Sequence, residues 1–336
     1  MNFSLNYNVL NFIILEIILF TIVFFIKESK LKKYIFLGYL LFFSIYLGAR
    51  SFDIGNDTRN YVNAYLSGDG GYFSELGFKY LGYILYKFKF TSSEYLIFIS
   101  LLKTCVYYKG YSLLAKDKKN IYILIWISLF TSTSLFGYVN VLRQSIAGGF
   151  FLIALGYQEK KEKIKIIISL ILGFLFHQSI VFYFLIFIPY FRKKYINLKK
   201  IKKLLGIFLA SVISIIIPYF FIWNYKFNQY FFIMETNNSF YLKVGILMIL
   251  YLYLLKENFN KNMEFILYIS ILIVILFIRF ELLGSRLIYY INVYLPIVLF
   301  ELIRKNKKVK NIIYFFIVIY QILILYYPSV YKMIFI

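Results

Sequence analysis

The side chains best suited to chemistry in this 336-residue chain are arginines, carboxylates and a single histidine: Arg50, Asp53, Asp57, Arg59, Glu75, Arg143, His177, Arg279, Glu281 and Arg286. A guanidinium grips phosphate oxygens through a planar fork of N–H donors, so five arginines on one face read as a diphosphate or polyanion site. The same arginines have a plainer reading, in which they flank helices or pair with Asp53, Asp57, Glu75 and Glu281. Arg143 is set apart by its surroundings, YVNVLRQSIAGG, where Gln144 and Ser145 follow it and Ala147, Gly148 and Gly149 allow neighbouring helices to approach closely. A buried arginine needs an anion, whether a protein carboxylate or a ligand phosphate.

Asp57 lies in the polar run GNDTRNY (55-61). Either it caps a helix starting near Arg59, or it is a carboxylate that orients a sugar hydroxyl or pairs with a catalytic arginine. The imidazole of His177 titrates near neutrality, so it can serve as general base for a hydroxyl nucleophile with Gln178 and Ser179 to orient it; the alternative is a satisfied structural histidine. One cysteine, Cys105, and one histidine in the whole chain exclude a disulfide framework and a Cys/His metal centre. Neither a metal nor a cofactor is expected.

The elements that must position these groups are membrane helices. Hydrophobic residues make up 62% of the chain and charged ones 16%, against ~45–50% apolar usage in soluble domains. A soluble globular protein is excluded. The apolar residues fall into runs of roughly 15–20, the length a helix needs to cross ~30 Å of hydrocarbon. The runs are 9-26, 34-49, 94-115, 121-137, 139-157, 164-176, 179-191, 204-223, 241-255, 263-279, 286-303 and 312-327. They predict an all-α, polytopic membrane bundle of about 12 segments, forming a single membrane domain over 1-336. The first run has no basic residue before it and no small-residue cleavage site after it, so it reads as a retained span.

Net charge is +23, from 38 Lys+Arg against 15 Asp+Glu. No basic-aromatic domain stands apart from the apolar runs, so the excess points to membrane orientation and not to nucleic acid. The connections 27-33, 116-120, 158-165, 192-203, 256-262 and 304-310 hold 25 of the 38 basic residues and belong on the cytoplasmic side. The alternation closes only if 164-191 breaks at His177, Gln178 and Ser179 into two short helices, with the turn facing outside. Both termini are then external, and Lys103 and Lys109 fall inside the third span. The external face receives one long connection, 50-93, whose later part carries Lys79, Lys87, Lys89 and many aromatics and suits an amphipathic segment lying along the membrane interface or folding back into it.

In that order, GNDTRNY (55-61), SELGFKYLGYIL (74-85), VLRQSIAGGFFLIAL (141-155) and GFLFHQSIVFYF (173-184) resemble the EpsG family of Wzy-like polymerases of bacterial exopolysaccharide, capsule and O-antigen. The matching elements are Asp57, Thr58 and Tyr61; Glu75, Gly77 and Phe78; Arg143 with Gln144; and Phe176, His177 and Ser179. Together they cover about residues 50-185, with weaker similarity at Arg286, and Leu76 stands where a proline is usual.

The resemblance implies a polymerase at the outer face of the bacterial cytoplasmic membrane. It would transfer a growing glycan from polyprenyl diphosphate to a sugar hydroxyl of a new lipid-linked repeat. On that basis Arg143 with Arg286 would stabilise the leaving diphosphate, and His177 or Asp57 would accept the hydroxyl proton. Arg59, Tyr61, Glu75 and Gln144 would bind diphosphate or sugars. The implied partners are the polyprenyl-diphosphate-linked oligosaccharide, membrane lipids, a chain-length regulator and a flippase. The competing readings are a flippase or transporter of lipid-linked oligosaccharide and another membrane transferase such as an O-antigen ligase. A flippase needs polar residues along a path through both leaflets, whereas here they collect outside. A ligase usually has a larger late external loop than 224-240.

Overall fold

The computed structural model describes residues 7–55, 57–68, 75–115, 117–129, 131–221, 238–256, 260–305 and 314, and among them all regular structure is helical. The chain divides into two compact units, residues 1–178 with 293–336, and residues 179–292.

The first unit contains α1 (Tyr7–Phe24), α2 (Lys30–Gly48), α3 (Thr58–Leu66), α4 (Leu76–Lys87), α5 (Ser92–Leu114), α6 (Lys118–Leu129), α7 (Ser132–Val139), α8 (Leu142–Glu159) and α9 (Lys163–Phe176). Helix starts follow local chemistry. Ser29 accepts from the Lys32 N–H to cap α2, and Thr91 with Glu94 forms a reciprocal capping box on α5. The centre of the unit is α5 packed on α8, with α2 also against α5 and α9 also against α8. A side chain at Gly110 would place its Cβ 2.5 Å from Leu152, and one at Gly149 would place it 2.3 Å from Val106, so α5 and α8 approach closely because glycine stands at both contacts.

The described residues of the long connection 50-93 include two helices. These are α3 and α4, whose Tyr61, Val62, Tyr65, Phe78 and Leu85 share a core with Tyr95, Leu96 and Ile99 of α5 and Leu142 and Ile146 of α8. The opposite face of α4 exposes Leu76, Tyr80, Tyr83 and Ile84.

The second unit holds the 3-10 helix Gln178–Phe187, α10 (Pro189–Ile196), α11 (Lys200–Phe221), α12 (Asn238–Lys256), α13 (Lys261–Leu276) and the start of α14 (Glu281–Lys305). Around α13 it contains a buried polar knot. The Lys203 ammonium lies 2.7 Å from Glu264 Oε1, to which the Tyr195 hydroxyl donates at 2.5 Å, and the Tyr251 hydroxyl is 3.2 Å from that of Tyr195. Two charges out of water are tolerable because each is paired and hydrogen-bonded.

The break at His177 occurs where the sequence places it: α9 ends at Phe176 and His177 is its extended C-cap. The segment 179-191 is not a second α-helix, however. It is a 3-10 helix that ends before Pro189, which opens α10. The run 121-137 is also not one helix, because α6 and α7 bend by 81°. Thr131 Oγ1 accepts from the Ser134 N–H at 3.2 Å and caps the new direction. By length and composition two described helices suffice to cross a membrane, Lys30–Gly48 and Leu283–Lys305, and the bent pair makes a third. The count of twelve rests on shorter pieces such as α9, whose 14 residues rise only ~21 Å. The run 312-327 and most of the loop 224-240 lie outside the described residues.

Candidate functional site

The GNDTRNY segment folds against the junction between α7 and α8. Gly55 adopts φ +91°, a region that favours glycine, and a Cβ there would sit 2.4 Å from Val139 and 2.7 Å from Asn140 Oδ1. Thr58, fully buried, anchors the contact. Its hydroxyl accepts from Arg50 Nη2 at 3.1 Å and has the Ile54 carbonyl at 2.6 Å and the Val139 carbonyl at 3.0 Å as acceptors. Arg50 also donates to the carbonyls of Leu47 at 3.0 Å and Val139 at 3.2 Å. The plainer of the two readings therefore holds for Arg50: it ties the end of α2 to α3 and to the end of α7.

One turn further on, the same junction presents Arg143 in the first turn of α8, after Val141 has broken the helix path. Its guanidinium forms an ion pair with Glu75 and stands 6.0 Å from the centre of the Tyr61 ring. The Tyr61 oxygen accepts from both the side chain and the backbone N–H of Arg143, satisfying one of the N–H groups a helix start leaves over. Burial pushes the Tyr61 phenol up to about 12, the Arg143 charge pulls it back, and the nearby Asp57 carboxylate raises it. Tyr61 is thus a neutral phenol, able to donate as well as accept. Asp57 occupies the N-cap position of α3 but makes no side-chain cap hydrogen bond. Capping does not account for this carboxylate, whose charge acts on the Tyr61 phenol.

The corner is completed by α4 and the end of α9. Gly77, two residues after Glu75, lies against the Leu175 backbone, where a Cβ would come within 2.9 Å of the carbonyl oxygen. Phe176 stacks on Phe150 of α8 with ring centres 5.8 Å apart. These two contacts hold the next residue, His177, buried at the C-cap of α9, where its N–H donates to the Gly173 carbonyl at 2.9 Å. Four pieces of chain far apart in sequence (57–61, 75–78, 143–144 and 175–177) therefore meet in one unit, and Asp57, Tyr61, Glu75, Arg143, Gln144 and His177 come with them.

Two of the anticipated residues lie elsewhere. Arg59 is 72% exposed and pairs with Asp53 at the surface, Nε to Oδ1 2.9 Å. Arg286 belongs to the second unit, in α14, partly exposed. In that unit Ser179 lies 3.1 Å from the Tyr290 hydroxyl and Tyr183 donates to the Leu287 carbonyl at 2.5 Å, so the residue after the His-Gln pair is fixed to the turns that carry Arg286. Arg279 is exposed. Among the described residues no group of three or more His, Cys, Asp or Glu is placed to hold a metal ion.

Sequence reasoning missed Thr58 as the hub, whereas Lys103, placed inside the third span, is buried there. Lys103 Nζ donates to the Ser134 carbonyl at 2.5 Å and lies 3.3 Å from the centre of the Tyr138 ring. Its signal was a lysine in the middle of an apolar run.

A helical membrane protein with an arginine-centred polar corner, built from its long connection and two mid-chain helices, is the class this arrangement defines. The EpsG family model matches residues 40–335, and the chain belongs to that family of Wzy-like, polysaccharide-polymerase-related membrane proteins. It is accordingly a membrane protein of polysaccharide biosynthesis. Comparison with curated proteins and with solved structures gives no match.

Proposed function

We propose that the protein polymerises a bacterial polysaccharide at the outer face of the cytoplasmic membrane. The growing glycan leaves its polyprenyl diphosphate and joins a sugar hydroxyl of a newly delivered lipid-linked repeat, and polyprenyl diphosphate departs. The observation that carries the reading is Arg143, held at a helix start by Tyr61 and Glu75 in a chain of this family. A guanidinium there meets the charge that develops on the departing diphosphate, and its fork suits two phosphate oxygens. His177 or Asp57 takes the proton of the attacking hydroxyl. Gln144 and Tyr61 orient the donor, while the surface-exposed Arg59 adds positive charge for the repeat.

In this reading the chain crosses the membrane in about twelve segments, short and broken ones included. The basic connections lie in the cytoplasm and the His177 turn lies outside. A flippase delivers the repeats and a chain-length regulator limits the product. The experiment is reconstitution into liposomes with the cognate lipid-linked repeat. Polyprenyl diphosphate should be released in step with each added repeat. Repeats that cross the bilayer without linking would instead identify a flippase, and transfer to a lipid A-type acceptor without elongation would identify a ligase.

A further inference from the structure

We propose that Glu75 is a resident counter-ion of Arg143: it holds the guanidinium while the site is empty, yields it to the diphosphate, and reclaims it when the diphosphate leaves. The inference rests on reading Arg143 as the diphosphate-binding arginine. Three observations lead to it. Glu75 stands at the N-cap position of α4, next to N–H groups that lack helical partners and favour negative charge, yet it makes no cap hydrogen bond there and turns to Arg143. The two sides of the pair are unequally covered, with 8% of the Glu75 side chain exposed and 23% of that of Arg143. An incoming anion therefore reaches the arginine first. The backbone beneath Glu75 is fixed by Gly77 against Leu175 and by Phe78, 2% exposed, in the shared core. Exchange thus proceeds by rotation of the Glu75 side chain, with α4 left in place.

Displacing a partner from a buried ion pair is costly when it strands a charge. Glu75 has a second seat, the N-terminal turn of its own helix, so its carboxylate is not stranded. A diphosphate carries more charge than a carboxylate and engages the guanidinium through two oxygens, which lets it win the exchange. The exchange also weakens its apparent affinity, because only the fraction of molecules in which Glu75 has let go is competent to bind. For an enzyme that sheds a polyprenyl diphosphate at every transfer, that weakening favours product release. Glu75 is then a positioning residue that tunes ligand affinity through Arg143.

The test is calorimetric binding of inorganic pyrophosphate to the full-length protein in an uncharged detergent, comparing wild type, Glu75→Gln and Arg143→Gln, with the unliganded unfolding midpoint as a control for folding. Glu75→Gln should bind pyrophosphate about tenfold more tightly, and Arg143→Gln at least about tenfold more weakly. In turnover, pyrophosphate should inhibit Glu75→Gln at correspondingly lower concentration, with KM for the lipid-linked repeat falling and kcat not rising. A residue that merely anchors Arg143 would move affinity the other way. Equal or weaker binding by Glu75→Gln, with Arg143→Gln impaired, overturns the counter-ion role and leaves the reading of Arg143 standing. Binding by Arg143→Gln equal to wild type, or no binding by any of the three, overturns that reading and the proposal with it. If Glu75→Gln does not fold, Glu75→Asp keeps the charge but shortens its reach. An intermediate gain in affinity is then expected, and no gain overturns the proposal.

Discussion

Two arginines come to rest near the junction of α7 and α8 with opposite assignments. Arg50 spends its donors on the carbonyls of Leu47 and Val139 and on Thr58, whereas Arg143 faces a carboxylate and a phenol. The first arrangement is structural, because main-chain acceptors cannot leave; in the proposed scheme the second is exchangeable. Removing the Thr58 hydroxyl should therefore cost stability and spare the chemistry. Thr58→Val is expected to lose about 1–3 kcal/mol by leaving Arg50 under-satisfied in a buried place, and Thr58→Ser to stay close to wild type, as read from thermal unfolding in detergent. Arg143→Lys should unfold like wild type yet lose most of its polymer output, since an ammonium cannot reproduce the two-pronged grip. Arg143 was legible because the small residues after Gln144 and Ser145 mark a tightly packed helix, and an arginine set there requires an anion. The role of Thr58 was not, because its acceptor is a carbonyl 81 positions away and any residue supplies a carbonyl.

At the scale of elements, the site depends on how closely α3 and α4 are pressed onto their neighbours. Gly55→Ala meets both a strained φ and contacts of 2.4–2.9 Å with Val139 and Asn140. Gly77→Ala meets the Leu175 backbone at 2.9 Å. Each should push its segment off the helices it packs against. A displacement on the order of 1 Å at a reacting centre lowers turnover about 10²-fold, so polymer formation should collapse in both variants while the amount of protein in the membrane falls much less. The expected check is product per unit of membrane-inserted protein, and normal output from Gly77→Ala would show that α4 does not position the site. The break at His177 could be read because three polar residues interrupt an Ile/Leu/Phe stretch. The 81° bend between α6 and α7 left a weaker mark, since Ser and Thr also occur within straight membrane helices. Nor could periodicity choose between lying along the interface and packing on the bundle for the described helices of 50-93, because a stripe of aromatics fits a lipid interface and a protein core equally well.

For the whole molecule, the proposed orientation rests on the basic residues that dominate the net charge of +23. With the exposed Cys105 replaced by serine, a membrane-impermeant maleimide applied to intact cells should label Asp53→Cys and leave Lys199→Cys unlabelled until the membrane is opened. The reverse pattern would put the Arg143 corner in the cytoplasm, where no lipid-linked repeat is polymerised in the proposed scheme. The all-helical class and the membrane character were legible from composition, and the family from motifs over about residues 50-185, because composition and motif order survive without knowledge of packing. The division into two units was not, because no break in composition marks residue 179 or 293. The most direct test of the central claim is the product ladder of the reconstituted protein with its cognate lipid-linked repeat, wild type against Arg143→Ala at equal incorporation. The account predicts a ladder of many repeats from wild type and unlinked single repeats from the variant. A full ladder from Arg143→Ala would contradict it.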